Sequence, residues 1–254
     1  YLRYIQDEDL VCDGAMTDAK GDRSRHPAEQ ADPDQYLHVV EEKSDGIVVR
    51  GAKLHQTGAV NSHEIICMPT RAMREEDKDY AISFALPSDT QGIIYIYGRQ
   101  SCDTRKIDSP NMDVGNILYG GQECMVVFDD VFVPWERVFM CREYQFAGTL
   151  VERFAAYHRQ SYGGCKVGVG DVMVGAAALI AEYNGVEKAP HIQDKLAWLV
   201  LYAEATEIMG RSACEHCVSE PDSNLVYPNP MYANIAKLFF ADNWHQATKY
   251  LQDI

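Results

Sequence analysis

The sequence predicts an α+β protein in which an antiparallel β-barrel or sandwich is followed by a helical bundle. Three observations carry this. Six short runs rich in β-branched and aromatic residues lie before residue 145 with no helical pattern between them. After residue 146 the apolar spacing changes to steps of three and four. The turn residues Gly, Pro, Asp and Ser cluster in the first part and thin out in the second.

Residues 1–10 read as the tail of a helix, residues 11–145 as the β domain and residues 146–254 as the helical domain. The strand-like runs are Val39-Val40, Ile47–Val49, Glu64–Met68, Tyr80–Phe84, Gly92–Tyr97 and Cys124–Phe128. Asp45-Gly46 between two of them signals a hairpin. Val172–Ala181 is alanine-rich and lacks turn residues, which predicts a buried helix. Ile192 to Cys217 places Leu196, Leu199, Val200, Ala203, Ile208 and Cys214 at amphipathic helical spacing. Pro221–Asn224 and Pro228–Pro230 mark a loop, and the chain is helical again from Tyr232.

The 254 residues carry 23 basic and 38 acidic side chains, a formal charge of −15. Such a balance argues against nucleic acid and against an anionic membrane surface, because both require a basic face. No run of the sequence approaches the roughly 18 apolar residues of a bilayer span, so no membrane partner is expected. A start without methionine or signal pattern, and an end inside an amphipathic pattern, read as an interior piece of a longer protein. Eight cysteines are too sparse for a disulfide-stapled domain. With no secretion signal they are expected to be reduced cytoplasmic thiols. Cys214-Glu-His-Cys217 stands out as a CxxC pair, a spacing used for zinc or thiol exchange. It lacks a second CxxC or a His pair.

Four segments carry candidate chemistry. Gly14–Asp22 offers hydroxyl and backbone donors in a tight polar loop; its plain alternative is a surface turn. Lys53–Ser62 is a polar run between strands, with a solvent-facing hairpin loop as the plain alternative. Val127–Val138 contains Pro134-Trp-Glu-Arg137 and reads locally as a domain junction. Phe154–Asp171 gathers His158, Tyr162, Cys165 and Lys166 among four glycines. Each helical glycine costs about 1 kcal/mol against alanine, so close backbone approach is expected there.

Together and in this order, the segments resemble the 4-hydroxyphenylacetate 3-hydroxylase group, and within it the 4-hydroxybutyryl-CoA dehydratases. Thr17 to Ser24 and Val127 to Arg137 match the whole group, and His158-x6-Cys165 matches the dehydratases. The resemblance spans essentially the whole chain. It implies an acyl-CoA dehydrogenase-like fold whose N-terminal helical domain and C-terminal tail lie outside these residues. It also implies a homotetramer, FAD, a [4Fe–4S] cluster and an acyl-CoA substrate. The reaction implied is dehydration of 4-hydroxybutyryl-CoA to crotonyl-CoA with vinylacetyl-CoA Δ-isomerisation. It proceeds by flavin radical chemistry with the cluster as Lewis acid.

By the same resemblance His158 and Cys165 are metal ligands, with two further cysteine ligands outside the chain, so the isolated residues are expected to be inactive. His158, Tyr162, Glu123 and Lys166 are the expected catalytic residues. His158 relays a proton, Tyr162 donates to the hydroxyl or carbonyl, and Lys166 contacts substrate or flavin. Glu123 serves as acid or base, a role that burial has to tune. Thr17, Asp18, Lys20, Asp22 and Thr57 are the expected FAD contacts. On a straight helix, seven residues span about 10.5 Å, a long reach for one cluster. A distortion near Gly163 is therefore expected.

Two other readings remain open. One is the oxygenase component of a two-component FAD-dependent 4-hydroxyphenylacetate 3-monooxygenase, which has no use for His158 with Cys165. The other is a metal or redox module built on Cys214 and Cys217.

Overall fold

The structure, a computed structural model, describes residues 1–97 and 123–254. Cys102 and the Tyr119–Gln122 run before Glu123 lie outside the described residues. The chain divides into two compact units, Tyr1–Val151 and Glu152–Ile254.

In the first unit, helix α1 (Leu2–Asp7) precedes β1 (Cys12–Ala15), β2 (His38–Lys43), β3 (Gly46–Thr57), β4 (Glu64–Cys67) and β5 (Ile82–Pro87). β6 (Ile93–Tyr97), β7 (Glu123–Pro134) and β8 (Val138–Cys141) complete it. The strands form two four-stranded sheets, ordered β1-β4-β5-β8 and β2-β3-β7-β6. Every ladder is antiparallel except β1 with β4, which is parallel. The expectation of an all-antiparallel sandwich is corrected there. The whole β2–β3 hairpin intervenes between β1 and β4, so the chain returns to the first sheet running in its original direction.

Alternating apolar side chains supply the core. Ala15, Ile65, Phe84 and Leu86 from one sheet meet Ile47, Val49, Val126, Phe128, Val131 and Val133 from the other. Phe84 and Phe128 meet edge to face at 6.0 Å. Truncating Phe128 would cost about 3–5 kcal/mol. Lys43 pairs with Gly46 across the expected hairpin. A register shift between Val49 and Gly51 sets Gly51 at φ +135°. A Cβ there would lie 2.6 Å from the Tyr36 carbonyl oxygen, so only glycine fits. β5 starts two residues later than expected, because Tyr80 closes a 3₁₀ turn, Glu75–Tyr80.

In the second unit, α2 (Ala147–Gln160), which begins in the first unit, continues into α3 (Tyr162–Tyr183). α4 (Pro190–Glu215) follows, then a small hairpin, β9 (Val218–Ser219) with β10 (Val226–Tyr227), and finally α5 (Pro230–Gln252). Asn229 caps α5 by accepting from the Met231 and Tyr232 N–H groups. Met173, Ala177, Leu199, Tyr202, Phe240 and Ala247 form its core. The Tyr202 hydroxyl, fully buried, donates to the Phe240 carbonyl at 2.7 Å.

Two expectations about α3 are corrected. Within Val172–Ala181 only Met173, Ala177 and Ala181 are buried, while Val172, Leu179 and Ile180 are exposed. Its apolar composition reads as burial all round, yet one face alone meets α4 and α5. Secondly, the helical stretch Tyr144–Tyr183 is long and apolar enough to cross a membrane, by length and composition only, with a mean hydropathy of 1.5 in an 18-residue window. The valines and alanines of α3, with Leu179 and Ile180, carry that average although no unbroken apolar run there reaches span length.

Candidate functional site

The first unit stitches its polar loop to β3. The Leu54 N–H donates to the Thr17 carbonyl at 2.6 Å, and Asp18 bridges Lys53. The Lys53 Nζ lies 2.7 Å from Asp18 Oδ1, and both side chains are only 2% exposed. Nζ also donates to the Met16 and Met68 carbonyls, at 3.0 and 2.8 Å. These three acceptors match the three N–H bonds of an ammonium. Asp18 in turn accepts from the Leu37 N–H at 3.1 Å. Burial pushes the Asp18 carboxyl up, and Lys53 and the Leu37 N–H oppose it.

Beyond Asp18 the loop turns sharply, with Lys20 at φ +67° and Gly21 at φ +45°. Asp22 is exposed and accepts from the Ser24 N–H and hydroxyl, which hold its carboxyl below the usual range. Thr17 and Lys20 are partly exposed, so a ligand can reach them. Asp18, expected at the flavin, has its carboxylate enclosed and engaged by Lys53 and the Leu37 N–H, which hold the loop in place.

Thr57 and Glu123 face each other across β3 and β7. The Thr57 hydroxyl donates to Glu123 Oε1 at 2.5 Å. The burial expected for Glu123 is absent, since it is exposed; its position at the end of a sheet leaves it open. Glu123 lines a cavity of about 240 Å³ with His55 and Ile96. His55 sits at φ +58°, inside the register shift between Lys53 and Gln56. A non-glycine residue there is strained, and such strain gathers at functional sites. Asp13, on β1, is 7% exposed and its Oδ2 has no hydrogen-bond partner among the described residues. Burial pushes its carboxyl up to about 6, with the Glu123 charge adding to the rise.

The second unit brings His158, Tyr162, Cys165 and Lys166 onto successive turns. His158 stacks on Phe154 with ring centroids 5.6 Å apart, and Lys166 Nζ lies over the Tyr162 ring at 5.3 Å. His158 and Cys165 are both exposed. The helix is interrupted at Ser161, two residues before Gly163, although Ser161 keeps helical angles (φ −59°, ψ −22°). The Ser161 hydroxyl donates to the His158 carbonyl at 2.6 Å. Gly163 packs against Gly210, where a Cβ would meet the partner Cα at 2.6 Å, whereas Gly164 and Gly168 face open space.

An imidazole and a thiol beside that space suit an iron–sulfur group chemically. Among the described residues no group of three or more His, Cys, Asp or Glu side chains is gathered for a metal ion. Cys214 and Cys217 are exposed free thiols, and Cys214 Sγ accepts from Gln160 Nε2 at 3.1 Å.

Sequence reasoning placed Lys53 only at the start of a polar run, without a role of its own, and missed Asp13.

Residues 1–140 match the family described as 4-hydroxyphenylacetate 3-hydroxylase N terminal, and residues 147–254 match 4-hydroxyphenylacetate 3-hydroxylase C terminal. The chain belongs to the 4-hydroxyphenylacetate 3-hydroxylase family. Within reach of that family, the chain is 66% identical over 197 residues to the 4-hydroxybutyryl-CoA dehydratase/vinylacetyl-CoA-Delta-isomerase of Clostridium aminobutyricum. That match covers 77% of this chain and 40% of the relative. A solved oxygen-tolerant archaeal 4-hydroxybutyryl-CoA dehydratase from N. maritimus superposes with a TM-score of 0.90 at 46% identity, covering 99% of this chain and 50% of that one. The oxygenase component of 4-hydroxyphenylacetate 3-monooxygenase, solved with FAD, gives 0.85 at 28% identity over 100% of this chain and 52% of that one. Butyryl-CoA dehydrogenase from Megasphaera elsdenii, at 16% identity and a TM-score of 0.69 over 99% of this chain and 59% of that one, shows the shared fold alone. The chain thus spans between 40% and 59% of the length of these proteins.

Proposed function

We propose that these residues belong to a 4-hydroxybutyryl-CoA dehydratase that also isomerises vinylacetyl-CoA. The observation that carries this is the 66% identity to the clostridial dehydratase, against 32% to a monooxygenase oxygenase component over a similar length of chain. In this reading the protein is a cytoplasmic homotetramer that takes an acyl-CoA substrate, 4-hydroxybutyryl-CoA, and yields crotonyl-CoA. FAD and a [4Fe–4S] cluster, when bound, supply one-electron chemistry and Lewis acidity.

The chain's own residues divide the remaining work. Thr17, Lys20 and Asp22 present hydroxyl, ammonium and backbone groups to the flavin, with Thr57 on the adjoining strand. His158 and Cys165 are half of the cluster's ligand set. His158, once free of metal, moves a proton at its ring nitrogen. Tyr162 donates to substrate oxygen, and Lys166, held over the Tyr162 ring, adds positive charge beside it. Glu123, kept in place by Thr57, is the acid or base available at the end of the β3–β7 ladder.

The test uses the full-length protein purified without oxygen. FAD, iron and acid-labile sulfide should all be present, with crotonyl-CoA formed from 4-hydroxybutyryl-CoA. His158→Asn and Cys165→Ser should each lose iron while retaining FAD. A flavin-only protein that hydroxylates a phenol with reduced flavin and O₂ would establish the monooxygenase reading instead.

A further inference from the structure

Lys53 has no role in the reading above, yet it is among the most enclosed charges of the first unit. It is 2% exposed on β3. Its ammonium joins three separate stretches of chain: Met16 and Asp18 of the polar loop, Met68 just after β4, and β3 itself. Two further bonds depend on the same clasp, from Leu54 N–H to the Thr17 carbonyl and from Leu37 N–H to Asp18. Four residues beyond Lys53 on the same strand stands Thr57, bonded to Glu123. Between them the backbone is forced through His55 at φ +58°. A strained bulge of this kind keeps its geometry only where its surroundings overdetermine it.

We infer that Lys53 is a positioning residue that fixes the Thr17–Asp22 loop against the Thr57 end of β3, and so sets the distance between the two flavin-contacting segments. This rests on the reading of those segments as flavin contacts. An ammonium satisfies the geometry better than any neutral group would. Its three acceptors point in from two chain segments other than its own strand, and one of them is itself a charge that would otherwise be buried unpaired. Preorganisation of this sort raises ligand affinity without a direct ligand contact.

The experiment uses the full-length protein. Lys53→Met keeps the length of the side chain and removes the charge. Lys53→Arg keeps the charge but replaces the compact ammonium with a planar fork. Two measurements are made on each. Hydrogen exchange on the flavin-free protein follows the Leu37 and Leu54 amides against those of the β3–β7 ladder. Flavin titration follows the FAD dissociation constant and the visible flavin bands. Lys53→Met should speed exchange at Leu37 and Leu54 at least about tenfold, leave the ladder unchanged, weaken FAD about tenfold or more and shift the flavin bands. Lys53→Arg should fold and show the same changes in smaller measure, so that it decides the matter if Lys53→Met does not fold. Wild-type exchange at both amides in Lys53→Arg, or unchanged FAD affinity and bands in a folded Lys53→Met, overturns the assignment. If the wild-type protein binds no FAD, the flavin reading falls, and the exchange measurement still decides whether Lys53 holds the loop.

Discussion

Thr57 Oγ1 and Glu123 Oε1 lie 2.5 Å apart, on residues directly opposed in the β3–β7 ladder. The hydroxyl donates and the carboxylate accepts, so the bond fixes the direction of the Glu123 carboxylate. Glu123→Gln retains an acceptor for Thr57 while removing proton-transfer capacity. In the full-length enzyme it is expected to lower kcat by about 10²–10⁴ with the melting temperature unchanged. Steady-state kinetics with 4-hydroxybutyryl-CoA would check this; wild-type turnover would remove Glu123 from the reaction.

Gly163 and Gly164 are neighbours with opposite expectations. Alanine at 163 would bring its Cβ within 2.6 Å of the Gly210 Cα, a backbone atom that cannot step aside. Gly163→Ala is expected to destabilise by about 1–3 kcal/mol through overpacking. Gly164 meets nothing within 4 Å, so Gly164→Ala should stabilise by up to about 1 kcal/mol through helix propensity. Urea denaturation of the two variants side by side tests both signs.

Asp13 and Asp77 give opposite pH slopes. The Asp13 carboxyl, pushed up to about 6 from an ordinary 3.8, holds a proton in the native state that the unfolded chain has already released. Its contribution to stability is therefore full below 3.8 and falls as pH rises towards 6. Asp77 is fully buried, and burial alone would raise it. The Ala28 and Arg74 N–H groups and His26 outweigh that and hold it low, so its contribution is present above 3.8 and fades in acid. Asp13→Asn should flatten the decline between about pH 4 and 6, and Asp77→Asn should flatten the acid limb. Unfolding free energies measured across pH 3 to 8 would separate them.

His55 carries left-handed strain of about 1–2 kcal/mol. His55→Gly is expected to be about 1 kcal/mol more stable than His55→Ala, because both remove the imidazole and only glycine relieves the backbone. Equal stabilities in thermal or chemical denaturation would show that the conformation costs little.

Much of the fold was readable where side chains alternate or recur with a single period. The hairpin at Asp45-Gly46, the strands from Ile47 and Ile93, and the helix through Leu199 and Ala203 all follow from local pattern and turn chemistry. β1 was not, because Cys12-Asp13-Gly14-Ala15 has no apolar alternation and becomes a strand only by lying parallel to β4. β8 was hidden behind Pro134-Trp-Glu-Arg137, whose turn reads as a boundary even though the chain passes from one sheet to the other and pairs with β5 from Val138. At the site, the residue types of Thr57, Glu123, His158 and Cys165 were visible in sequence, but the pairing of the first two depends on ladder register. The enclosure of Lys53 was invisible for a different reason. Lysine is ordinarily a surface residue, and only tertiary structure supplies the three acceptors that let one be enclosed.

Enclosure of the Lys53 amine also makes it a clock. An acylating reagent reaches Nζ only after the Asp18, Met16 and Met68 contacts have parted together. Its rate of labelling, compared with that of surface lysines on the same chain, would therefore count the openings of this part of the molecule under conditions where everything else reports it closed.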